Sequence, residues 1–145
     1  MSSDIPTVRV VVLNFDGGDM TLECLDSLLA TDWPSERLDI VMVDNGSLDD
    51  VVEISCRSGW VRPVLDFAHM HATSDGAYLD VEPFASALAA VDDVQEPGTP
   101  FHIHFSDIAY ANRNEKHHLP YGEGTLRADP LRQALARFDR PATVI

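Results

Sequence analysis

Short apolar runs alternate with helix-period segments along most of the chain. Val8–Leu13 (VRVVVL) is a valine-rich run of the kind that forms a buried strand. Asp19–Ala30 follows, with Met20, Leu22, Cys24, Leu25, Leu28 and Leu29 close to helical spacing, and Trp33-Pro34 ends it. Leu38–Val43 (LDIVMV) predicts a second strand, closed by the turn Asp44-Asn45-Gly46-Ser47. Val51–Cys56 has room for one or two helical turns. Val61–Phe67 (VRPVLDF) predicts a third strand, in which Pro63 lacks a donor and so belongs near an edge or the strand start. Pro83–Val91 reads as a helix with Pro83 in its first turn. Phe101–Phe105 (FHIHF) is a fourth strand, Ile108–Gly124 a long polar loop, Pro130–Phe138 a helix, and Ala142–Ile145 the start of a fifth strand.

A repeated strand–helix order predicts an α/β protein with about five mainly parallel strands. An open, doubly wound sheet fits this length, because the eight strands of a closed barrel do not. Half of a TIM barrel is the alternative, and its open edges would favour pairing into a homodimer. The 145 residues suit a single domain, 1–145, large enough to bury a core unaided. The sequence stops at Thr143-Val144-Ile145, inside an expected strand, as a truncated or joined chain would.

Charge changes the picture next. The net charge is −14, and the acids are 17 Asp against 7 Glu, while the bases are nine Arg and one lysine, Lys116. An Asp-rich, Lys-poor surface suits a salt-rich cytoplasm, where self-repulsion is screened, and so suggests a halophile. The N-terminus carries no basic region and no apolar signal core, and no apolar run is long enough to cross a membrane. Cys24 and Cys56 form no CxxC pair, which fits a disulfide-free cytoplasmic protein. Residues 1–107 hold 4 bases and 20 acids, whereas residues 108–140 hold 6 bases and 4 acids. A phosphate-containing ligand or nucleic acid would therefore meet the chain near Arg113–Arg127.

Strand one runs into Asn14-Phe15-Asp16-Gly17-Gly18, and strand two into Asp44 to Asp50. In a parallel sheet both stretches lie at the carboxyl edge, where α/β proteins bind ligands. The text of residues 7–50, TVRVVVLNFDGGDMTLECLDSLLATDWPSERLDIVMVDNGSLDD, resembles the start of a family 2 (GT-A) glycosyltransferase. That resemblance implies a nucleotide site lined by Asn14 and Phe15, with Asp44 on the base or ribose. The family's DxD metal motif and later catalytic acid do not follow, and Asp49-Asp50 comes too early to serve as the DxD.

All six histidines fall between residues 69 and 118: His69, His71, His102, His104, His117 and His118. A lone histidine is usually structural, but six among interleaved acids predict a metal site. Asp66 ends strand three, and His69 is placed to turn back toward it. His102 and His104, two residues apart, share one face of strand four. Glu115 and His117 sit in the long loop beyond. Converging at one sheet edge, imidazole and carboxylate suit zinc, manganese or iron.

Residues 61–145 are similar to the C-terminal part of the endonuclease IV group of xylose-isomerase-like TIM barrels. The carrying text is VLDFAHMHA, HIHFSDI, NEKHHLPYGEG and the final PATVI. The resemblance implies metal-ligand positions at Asp66, His69, His104, Glu115 and His117, with Glu115 where a typical member has aspartate. His71, His102, His118 and Glu123 would surround them. The implied chemistry is metal-assisted phosphodiester hydrolysis. Ligands that such a site draws from the rest of a barrel are missing, so one or two Zn²⁺ or Mn²⁺ ions are expected rather than three.

Read together, two unrelated βα segments, 7–50 and 61–145, meet at a junction in 51–60, as in a chimera. The expected function is divalent-metal binding with weak or no phosphodiester hydrolysis. The alternatives are an inert chimera, a metal-dependent abasic-site endonuclease and a nucleotide-sugar glycosyltransferase fragment.

Overall fold

A computed structural model describes residues 5–15, 17–44, 52–54 and 62–145. The side chain of Asp44 and most of the expected junction, 51 and 55–60, lie outside the described residues, as do Asp16, Asp49 and Asp50. The chain opens with β1 (Val8–Asn14), α1 (Gly18–Leu29), a 3-10 turn at Ser35–Arg37 and β2 (Leu38–Asp44). β3 (Val64–Asp66) leads directly into α2 (Phe67–Thr73), then α3 (Val81–Asp92) and β4 (Phe101–His104). A hairpin of β5 (Asp107–Ala111) and β6 (Asn114–Leu119) precedes α4 (Ala128–Leu135) and β7 (Ala142–Val144).

Five strands form one parallel sheet in the order β1-β2-β3-β4-β7. The register reveals how the layers stack. Met42 lies beside Val12, Asp44 beside Leu65, and Leu65 beside Ile103. Because paired residues in adjacent strands point to the same side and alternate residues share a face, Ile40, Met42, Leu65 and Ile103 all project from one face. On that face α1 buries Leu22 and Leu25 with Ile40, Met42 and Ile54. Farther along, α2, α3 and α4 bury Phe67, Phe84, Leu88 and Leu131 with Leu65, Phe101 and Ile103. Phe84 meets the edge of Phe67 at 4.8 Å and that of Tyr78 at 5.2 Å between ring centroids, so aromatic contacts dominate this larger core. The opposite face carries Val11, Leu13, Asp66, His102 and His104.

Two elements differ from the sequence expectation. The third strand stops at Asp66, and Phe67 already belongs to a helix. The reason is local: the Asp66 carboxylate accepts the His69 backbone N–H at 3.1 Å, an N-cap that turns the chain. The expected polar loop 108–124 is instead largely an antiparallel hairpin. Asn112 (φ 55°) and Arg113 (φ 62°) supply the two left-handed residues that a tight hairpin turn requires. The strand signal was hidden because β6 is almost wholly polar and because its alternation is broken. Ala109 pairs with His117 while the next residue, Tyr110, pairs with Glu115, so Lys116 is the extra residue of a bulge.

Candidate metal centre

Asp66 organises the site from the carboxyl end of β3. One carboxylate oxygen caps α2. The other accepts a hydrogen bond from His104 Nδ1 at 2.7 Å, a contact set by the pairing of Asp66 with His104 across β3 and β4. His69 Nδ1 approaches the same oxygen to 2.7 Å, though this buried nitrogen has no aligned hydrogen-bond partner. Burial pushes the Asp66 carboxyl up, but hydrogen bonds from His69 and His104 outweigh it and hold the group at about 2. The same Asp66 carboxylate, helped by Glu115, raises His69 above its ordinary value against the effect of burial.

The hairpin completes the group. Its bulge turns Glu115 and His118, three residues apart, toward α2. His69 Nε2 lies 2.6 Å from Glu115 Oε2, and His118 Nε2 lies 3.5 Å from Glu115 Oε1. Ligand atoms from His69, Glu115 and His118 all fall within 4.8 Å of one another. Ser106, at the foot of the hairpin, hydrogen-bonds His118 Nδ1 at 2.7 Å and leaves Nε2 facing the group. The rings of His69 and His104 stand 5.2 and 5.6 Å from that of His118. Side-chain exposures of 16% for His69, 34% for Glu115 and 41% for His118 leave the group open to an arriving ion.

Asp66, His69, His104 and Glu115 thus come together, while His117 does not. It pairs with Ala109, on the other side of the bulge, and is exposed. His118 occupies the place expected for His117. His117 enters the expected set through the endonuclease IV resemblance, and nothing in the spacing of Glu115, His117 and His118 reveals the bulge that turns His118 inward instead. His102 shares a face with His104 but sits two residues back along β4, at the position paired with Val64. Glu123 is exposed in the turn after β6. His71 is fully buried, accepts the Tyr78 N–H on Nδ1 at 3.2 Å and donates from Nε2 to Thr125 Oγ1 at 2.8 Å. Burial lowers its pKa, so it is a neutral core histidine.

Asp107 was also missed as a supporting residue. Fully buried, it accepts the N–H groups of Gly122 and Leu126 at 2.6 and 2.9 Å and so folds the 120–127 turn back beneath the hairpin. A Cβ at Gly124 would lie 2.7 Å from its Oδ1, which explains the glycine there.

The nucleotide candidates lie beside this group. Asn14 is buried and accepts a hydrogen bond from Thr21 Oγ1 at 2.5 Å, so its side-chain oxygen serves the β1–α1 turn. Phe15 is 62% exposed. Phe15 and His69 both line a cavity of about 310 Å³ with Leu13, Asn14, Val43 and Asp66. Both also line a second cavity, of about 260 Å³, with Arg113 and Glu115.

No family model and no solved structure matches the chain. Over 102 residues it is 33% identical to an uncharacterized protein of Methanocaldococcus jannaschii, across 69% of this chain and 37% of that protein's length. The chain therefore spans well under half of that relative. No helix among the described residues is long and apolar enough to cross a membrane.

Proposed function

We propose that this chain binds one divalent cation, Zn²⁺ or Mn²⁺, through His69, Glu115 and His118, with Asp66 and His104 beside them. One observation carries the reading: three nitrogen and oxygen donors from α2 and β6 converge within 4.8 Å. Two imidazoles and a carboxylate fit the donor preference of either metal. Asp66 lies 2.7 Å from the far nitrogen of His69, the side from which a carboxylate commonly supports a metal-ligating histidine. A bound ion would supply a water of lowered pKa for attack on a phosphoester, as the endonuclease IV resemblance implies. The compact group of three donors supports binding more strongly than hydrolysis, which is expected to be weak or absent.

The architecture supports the same reading. A doubly wound sheet reverses its strand order and carries helices on both faces. Here the order runs in one direction and the buried helix residues pack on one face. That favours the alternative of a partial, open barrel-like sheet, whose carboxyl edge gathers side chains from successive strands. Joining a glycosyltransferase-like and an endonuclease IV-like segment accounts for the two resemblances, and both segments meet at this edge. A cytoplasmic setting in a halophile remains our reading of the acidic composition.

Calorimetric titration of the purified protein with Zn²⁺ and Mn²⁺ tests the proposal. Wild type is expected to bind one ion, Glu115→Gln and His118→Ala to bind at least about tenfold more weakly, and His117→Ala to match wild type. Equal binding by wild type, His69→Ala and His118→Ala would overturn it. Incubation of the metal-loaded protein with an abasic-site duplex measures any hydrolysis.

A further inference from the structure

Arg113 is unusual on three counts. It stands at φ 62°, a conformation that glycine adopts freely and arginine does not. Among the described residues it has no carboxylate partner, although Arg9, Arg127, Arg132, Arg137 and Arg140 each have one. It also lines the cavity that His69, Glu115 and the exposed Phe15 line.

We infer that this cavity is a binding site for a small anion bearing a flat ring. Its anionic group, a phosphate or a carboxylate, sits between Arg113 and the His69–Glu115 group, and its ring rests on Phe15. The guanidinium fork matches either oxyanion with two parallel hydrogen bonds. The exposed phenyl ring of Phe15 in the same lining offers an apolar platform for a ring of similar size. The site draws Phe15 from the end of β1 and Arg113 from the tip of the hairpin, so neither segment makes it alone. The net charge of −14 repels a long polyanion, whereas one arginine in a cleft suffices for a small one. The inference rests on the metal reading only for the His69–Glu115 side of the pocket.

Calorimetric or NMR titration with phenyl phosphate and with benzoate tests it, on protein with and without Zn²⁺. Inorganic phosphate and benzyl alcohol serve as controls. At least one aromatic anion is expected to bind saturably and about tenfold more tightly than both controls. Whichever of the two binds better identifies the anionic group. Arg113→Gly should weaken that binding about tenfold while leaving the melting temperature no lower and zinc affinity unchanged. Phe15→Ala should abolish the advantage of the ring over inorganic phosphate. Binding by both variants within about twofold of wild type, or controls binding as tightly as the aromatic anions, would overturn the inference. Failure of zinc to bind would remove the metal centre yet leave the Arg113 and Phe15 comparisons readable in metal-free protein.

Discussion

Strands β1 and β2 share a sheet with β3 and β4, and all four end at the same edge, yet their open faces differ. On β1, Val11 and Leu13 are 55% and 79% exposed. On β3 and β4 the equivalent face presents Asp66, His102 and His104, and the β5–β6 hairpin brings Glu115 and His118 to the edge beside them. The cores differ in parallel. Among the described residues, the buried cluster beneath β1–β2 has five members and no aromatic ring, whereas the one beneath β3–β4 has sixteen, Phe67, Phe84 and Phe101 among them. The comparison teaches that chemistry at a sheet edge requires more than strand ends. It requires an element folded over them and a core rigid enough to hold that element in place.

The largest effect is expected in the aromatic core. Phe84→Ala should cost about 3–5 kcal/mol in urea unfolding, against about 2–3 kcal/mol for Leu25→Ala under α1. Equal losses would deny that the second region is the stronger. Next comes the support beneath the hairpin. Asp107→Ala strips two backbone N–H groups of their buried acceptor and should cost about 2–4 kcal/mol. Hydrogen exchange should show the Gly122 and Leu126 amides losing protection first, and unchanged protection would refute the anchor.

The pH dependence follows from opposite shifts within the cluster. Asp66 is lowered from 3.8 to about 2, so its contribution is present above its unfolded pKa and is lost as pH falls toward 2. His69 is raised above 6.5, so its contribution is complete below 6.5 and fades as pH rises through the folded value. Metal-free wild type should therefore gain from the cluster chiefly between pH 3.8 and 6.5. A His69→Ala variant should show a flatter pH–stability curve at both ends, and an unchanged curve would count against the coupling. Smallest are the exposed sites: Leu13→Thr should stay within about 0.5 kcal/mol of wild type. Arg113→Gly should gain up to about 1 kcal/mol by relieving the left-handed arginine. A clear loss at Leu13 would mean that the open face of β1 is covered in solution.

Much of this organisation was legible beforehand. The valine run at β1, the amphipathic spacing of α1, and the apolar positions of β4 are local patterns, and burial follows directly from them. The return of His69 toward Asp66 was legible because an N-cap acts across three residues. The hairpin was not, because the turn at Asn112–Arg113 lacks glycine and the residues after it are polar. The endonuclease IV resemblance implies His117, whereas the Lys116 bulge, which no residue type in the segment announces, brings His118 to His69.

By itself the sequence determined an α/β order of elements, an acidic surface and a window dense in histidines and acids. These follow from composition and from spacings shorter than one turn or one strand. Tertiary structure alone decided that the helices share one face, that Glu115 and His118 rather than His117 meet His69, and that Phe15 and Arg113 face one cavity. Each depends on register between segments tens of residues apart, and a shift of one residue in a strand reverses the face of every side chain that follows.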